Sequence, residues 1–134
     1  MASDSGSDNE TAVAAGEEES AEDRPNVAET LEPERVAEMQ RSGGAHLIDV
    51  RQAEEWERGR IAGSVHIVLE EVPERAADVP RDRPVVFACR GGSRSAMVAD
   101  AFRGDGYDAY NMAGGLRAWE QAGLPLEGAE GAVS

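Results

Sequence analysis

The chain holds one cysteine, and its neighbours are of the kinds that make a thiol reactive: Cys89-Arg90-Gly91-Gly92-Ser93-Arg94. Arg90 is adjacent and Arg94 lies five positions on, so two fixed positive charges stand close enough to favour the thiolate. Gly91 and Gly92 remove side chains from the run and let backbone N–H groups turn inward as an anion nest. A helix starting near Ser93 adds about half a positive charge at its N-terminus, aimed at the same place. Together these conditions bring a thiol pKa from about 8.5 into the range of roughly 3.5 to 7.5. An ionised thiolate needs no base, and neither His46 nor His66, both read as strand residues, is placed by sequence to act as one. No aspartate or glutamate stands near the loop to protonate a leaving group.

Each of these features has a plain reading when taken alone. A lone cysteine is most often a small buried hydrophobe, arginines form surface ion pairs, and a glycine pair makes a turn. It is their conjunction that points to a nucleophile.

The elements that would hold such a loop can be read from the apolar pattern. Val27 to Leu31 reads as a first strand, and Pro33 followed by Glu34 opens a helix that Gly43-Gly44 ends. Ala45 to Val50 reads as a strand, Ala53 to Arg58 as a helical turn, and Val65 to Val68 as a short strand after a Gly59 to Gly63 loop. Glu70 to Ala77 is expected to be helical, with Pro80 to Pro84 connecting onward. Then comes the clearest unit: a buried strand, Val85 to Ala88, the Cys89 to Gly92 turn, and a helix from Ser93 to Arg103 with Ser95, Val98, Ala101 and Phe102 on one face. A strand from Ala109 to Met112 and a helix through Trp119 to Ala122 complete the pattern. Strands alternating with helices imply an α/β fold, a parallel sheet with helices on both faces, whose ligands bind beyond the carboxyl ends of the strands. Cys89 falls at such an end.

Composition narrows the function classes. With 134 residues, 40% of them hydrophobic, the chain can build one modest core. The formal charge of −14 disfavours nucleic acid and anionic membrane as partners. Residues 1–24 carry eight acids against Arg24 alone and no Leu, Ile, Phe, Tyr or Trp, so they read as a disordered acidic tail. All thirteen cations are arginine, which excludes lysine Schiff-base chemistry and a GxxxxGK phosphate loop. One cysteine makes no intramolecular disulfide and, with two histidines, a poor structural zinc set, so no metal or cofactor is expected. No apolar run reaches the roughly 18 residues of a membrane span, and the first residues lack signal-peptide features; a cytoplasmic location is expected.

Three blocks in order then resemble the single-domain form of the rhodanese homology family. They are Asp49-Val50-Arg51 with Glu55-Trp56, Gly59, Ile61 and Gly63; the loop from Cys89 to Ser95; and Gly106-Tyr107 with Gly114-Gly115, Trp119, Gly123 and Pro125. The resemblance spans roughly Leu31 to Leu126, within a domain placed at residues 25–128 and followed by a short tail, 129–134. It implies a five-stranded parallel sheet flanked by helices. It also implies a Cys89 that accepts sulfane sulfur from a donor such as thiosulfate and passes it to a thiol or cyanide-like acceptor, or to a sulfur-accepting protein. Arg90, Gly91, Gly92, Ser93 and Arg94 would bind the persulfide, and Asp49 and Arg51 would anchor the sheet end. Arg60 stands where the family commonly has His, His66 where Asn is common and Val68 where Pro is common; Arg60 could add charge at the site mouth. Phosphatases and arsenate reductases use a similar loop with five residues between Cys and Arg. Here there are four, a tighter ring that suits a terminal sulfur better than a tetrahedral oxyanion. A non-enzymatic binding module and a partner-dependent sulfur carrier are the remaining alternatives.

Overall fold

A computed structural model describes residues 27–128; the two expected tails, 1–24 and 129–134, lie outside the described residues. The chain runs β1 (Glu29–Leu31), α1 (Pro33–Arg41), β2 (His46–Asp49), α2 (Ala53–Arg58), β3 (Val65–His66), α3 (Val72–Arg75), β4 (Val85–Ala88), α4 (Ser93–Gly104), β5 (Ala109–Met112) and α5 (Gly115–Gln121). The five strands form one sheet in the order β1-β5-β4-β2-β3, and every pairing is parallel.

The local signals act as their chemistry requires. Pro33 occupies the first turn of α1, where its missing N–H costs nothing, and the helix ends as the Gly44 N–H bonds the Met39 carbonyl at 2.7 Å. Central strand β4 is Val-Val-Phe-Ala and buried throughout, the continuous apolar run that a parallel sheet covered on both faces demands. Its side chains alternate. Val85 and Phe87 enter a core layer with Val98, Ala99 and Phe102 of α4, whereas Val86 and Ala88 pack with Val36 of α1 and with Leu116 and Trp119 of α5. The alternation carries one residue beyond the strand, so Cys89 falls on the α4 side.

Several expectations change at element ends. β1 starts at Glu29 rather than Val27, and β3 stops at His66 rather than Val68, because pairing to β2 covers only Ile48 and Asp49. The helix expected from Glu70 to Ala77 is instead a 3₁₀ turn at Leu69–Glu71, the single turn α3 and a second 3₁₀ turn at Ala76–Asp78. Pro73 has no N–H to give the Leu69 carbonyl, so a continuous helix cannot pass through it. On α4 the buried face is Ser95, Val98, Ala99 and Phe102; Ala101, expected inside, is exposed. Spacings of three and four place Ala99 directly between Ser95 and Phe102, and Ala101 lies off that line.

Candidate functional site

Cys89 leaves the carboxyl end of the central strand with its side chain fully buried and turned to the start of α4. Its Sγ receives the Gly92 N–H at 3.0 Å, the Ser95 N–H at 3.4 Å and the Ser95 hydroxyl at 3.3 Å. Burial opposes ionisation of this thiol, but the Ser95 hydroxyl and N–H outweigh it with the N–H groups of Gly92 and Arg94, so its pKa falls below the ordinary thiol value. The stabilisation therefore comes chiefly from directed hydrogen bonds, so of the influences expected from the sequence the inward N–H groups outweigh the arginine charges.

Glycine is required at two places in this cradle. Gly92 has φ +102°, and a Cβ there would stand 3.2 Å from the Gly114 backbone nitrogen. Gly115, with φ +64°, backs directly onto the cysteine loop, and a Cβ would collide with the carbonyls of Cys89 and Arg90. That closeness lets the Leu116 and Arg117 N–H groups bond those same carbonyls at 2.8 and 3.0 Å, so the first turn of α5 holds the loop from behind. Gly91 differs: it is exposed, and a Cβ there would meet nothing within 4 Å.

The other expected loop residues divide. Ser93 is exposed, and it is Ser95 whose hydroxyl reaches the sulfur. Arg90 is half-buried, with its Nε enclosed and lacking a hydrogen-bond partner among the described residues. Arg94 pairs with Glu55 of α2 at 3.5 Å. This corrects the expectation that no acid lies near the loop. Burial pushes the Glu55 carboxyl up, but the Gln52 N–H and the Arg94 guanidinium more than offset it and hold it below the usual carboxylate range. Glu55 is consequently an ionised partner of Arg94 at neutral pH, unsuited to donating a proton. The Gln52 N–H bond to Glu55 also caps α2, and the Gln52 side chain bonds Glu70, which ties the start of α2 to the turn after β3.

Asp49, in register with Ala88, and Arg51 lie at the end of β2, and both are 1% exposed. The Arg51 guanidinium pairs with Asp49 at 2.8 Å and also donates to the Gly59 carbonyl at 2.7 Å, pinning the end of the α2 segment to the sheet. The Arg51 carbonyl accepts from His66 Nε2 at 2.8 Å, and the His66 ring stacks on Trp56 with centroids 4.6 Å apart. Arg60 lies over the Trp56 ring at 5.4 Å and beside Glu127 at 3.8 Å. Its guanidinium is thus engaged with α2 and the C-terminal segment.

Two residues escaped the sequence reading as site residues. Ser95 was legible as a buried position on α4 but not as a donor to sulfur. Asn111, from β5, accepts the Ser95 hydroxyl at 2.6 Å, and its register opposite Phe87 places it one layer below Cys89. Its only sequence signal is a polar residue inside an otherwise buried strand.

This geometry frames the comparisons with known proteins. The family model for the rhodanese-like domain matches residues 32–122. The thiosulfate sulfurtransferase GlpE of Actinobacillus succinogenes is 35% identical over 102 residues, covering 75% of this chain and 92% of that protein. The putative sulfur carrier protein YrkF of Bacillus subtilis is 30% identical over 78% of this chain and 57% of its own length. A crystal structure of a rhodanese-like domain protein from Staphylococcus aureus superposes with a TM-score of 0.67 at 27% identity, covering 75% of this chain and 98% of that one. The matched span runs from the start of α1 through α5 and contains the whole thiolate cradle with the parts that brace it, and so the chain belongs to the rhodanese-like domain family.

Proposed function

We propose that this protein is a sulfurtransferase that carries sulfane sulfur on Cys89, taking it from a small donor such as thiosulfate and passing it to a thiophilic acceptor. The observation that carries this reading is the set of three donors, two N–H groups and one hydroxyl, converging on a buried Sγ. In the first half-reaction the Cys89 thiolate attacks the outer sulfur of thiosulfate. A sulfur–sulfur bond forms, and sulfite leaves with the electron pair of the bond that breaks. Sulfite is a stable anion, so departure needs no proton, consistent with an ionised Glu55. In the second half-reaction cyanide or a thiolate attacks the terminal sulfur, and Cys89 leaves as the thiolate that the cradle already stabilises.

Mass spectrometry after thiosulfate treatment tests this reading: wild type should gain one sulfur atom and release thiocyanate with cyanide, and Cys89→Ser should do neither. A wild type that gains no sulfur and forms no thiocyanate sinks the reading, and hydrolysis of an aryl phosphate would promote the phosphatase alternative. The relative described as a putative sulfur carrier favours a variant in which the acceptor is a protein. A cytoplasmic setting fits this proposal, since a single thiol must stay reduced between turnovers.

A further inference from the structure

Beside the site lies an apolar groove that the chemistry above does not use. Leu69, Val72 and Pro73 form one wall, Met97 of α4 the other, and the buried Val98 and Phe102 the floor. Met97 is 64% exposed, the most exposed large hydrophobic side chain among the described residues. The groove runs along α4 from Met97 to Phe102, and its Leu69 and Met97 edge is the one nearer the Cys89 end of the sheet. Leu69 is held there by its N–H bond to the Val50 carbonyl, just past β2, Met97 lies one helical turn into α4, and Val98 belongs to the same buried layer as Cys89.

Its size selects the occupant. About 200 Å³ accommodates one or two apolar side chains and falls below the roughly 300 to 1,000 Å³ of a small-molecule pocket. The surroundings select its charge. The wall from Leu69 to Asp78 carries Glu70, Glu71, Glu74 and Asp78 against Arg75 alone, and α2 adds Glu54 and Glu57 against Arg58, its Glu55 being already paired with Arg94. The Glu70 carboxyl is held below its usual range, chiefly by the Gln52 side chain, so it stays ionised. A second copy of a chain carrying −14 would be repelled from such a rim.

We propose that the groove docks a sulfur-accepting protein, seating an apolar side chain against Met97 and Val72 while lysines or arginines around it meet the acidic rim, so that the partner's thiol is presented to the Cys89 persulfide. This rests on the sulfur-transfer reading above. In the step itself the partner thiolate attacks the terminal sulfur, the new sulfur–sulfur bond forms on the partner, and Cys89 departs as thiolate.

The test follows persulfide transfer, by mass spectrometry, from thiosulfate-loaded protein to cysteine peptides. One peptide carries a leucine and three lysines, a second replaces the leucine by alanine, and a third replaces the lysines by glutamates. Each rate is normalised to the peptide's reactivity toward a small disulfide. The first peptide should react about tenfold faster than either control, a factor equivalent to about 1.4 kcal/mol, with an advantage that shrinks as salt is added. Met97→Ser, and independently Val72→Thr, should erase the leucine advantage and leave thiocyanate formation from cyanide within about twofold of wild type. Equal rates for all peptides with cyanide turnover intact overturn the docking proposal alone. Absent cyanide turnover overturns the sulfur-transfer reading beneath it. Self-association at high concentration that Met97→Ser abolishes would assign the groove to a second copy and likewise overturn the proposal.

Discussion

At the scale of single residues, the function turns on how one hydroxyl proton is shared. Ser95 has a single proton to donate and three acceptors in reach, the Asn111 amide oxygen at 2.6 Å, the Cys89 sulfur at 3.3 Å and the Gly92 carbonyl at 3.4 Å. When the sulfur is a thiol it can act as donor to Ser95, which then donates to Asn111; when it is a thiolate, the hydroxyl gains by turning to it. Ser95→Ala removes that donor and leaves burial less opposed, so the thiol pKa rises and less thiolate exists at pH 7. Alkylation of Cys89 by iodoacetamide at pH 7 should slow by roughly an order of magnitude, because a hydrogen bond to a charged group is worth about 1.5 to 3 kcal/mol. The whole rate profile should also move to higher pH. The same shift has a consequence for stability. A thiol whose folded pKa lies below its unfolded value binds fewer protons when folded, so its contribution is full above the unfolded pKa and lost as pH falls through the folded one. The urea midpoint of wild type relative to Cys89→Ala should therefore climb across that window and level off above the ordinary thiol pKa. A difference that stays constant with pH would show that the thiol does not ionise early.

At the scale of elements, the cradle is a junction of three secondary structures. β4 delivers the sulfur, α4 supplies its donors, and α5 braces the loop through the carbonyls of Cys89 and Arg90. The glycines at this junction differ in what they can tolerate. Gly115→Ala must relieve a collision with backbone while holding a positive φ, a combination expected to cost at least about 1 to 3 kcal/mol and to impair thiocyanate formation through a displaced loop. Gly91→Ala meets open space at an ordinary φ and should leave both melting temperature and turnover nearly unchanged. Equal effects at the two positions would contradict the bracing role assigned to α5. The Asp49–Arg51 pair acts on another connection, fastening the end of the α2 segment that carries Glu55, the partner of Arg94.

At the scale of the whole molecule, one sheet separates two apolar layers built from residues between Ala28 and Leu126, all inside the described span. Residues 1–24 carry no Leu, Ile, Phe, Tyr or Trp and so have little apolar surface to add to either layer. A chain covering 27–128 should therefore melt within a few degrees of the full chain and form thiocyanate within about twofold of it; a large loss of stability would show that the acidic segment packs on the domain. The topology also accounts for where the cysteine loop sits. With β4 central and the order β1-β5-β4-β2-β3, loops from three adjacent strands meet at one sheet end, and the cysteine loop lies in the middle of them.

The sequence by itself determined the element order, the central apolar strand and the reactive loop, since these depend on periodicity and on residue types that are contiguous in the chain. Cys89, the need for glycine at position 92 and the helix starting at Ser93 all belong to one run of neighbours. Only the tertiary structure decided which groups act on the sulfur from elsewhere. Asn111 lies 16 residues from Ser95 in sequence yet 2.6 Å from it in space, and Glu55 reaches Arg94 from another helix. No local pattern encodes such meetings; they follow from which strands pair and in what register. For the same reason Cys89 could be picked out as a candidate nucleophile from its neighbours, but the hydroxyl, the brace and the apolar groove became visible only when distant segments were brought together.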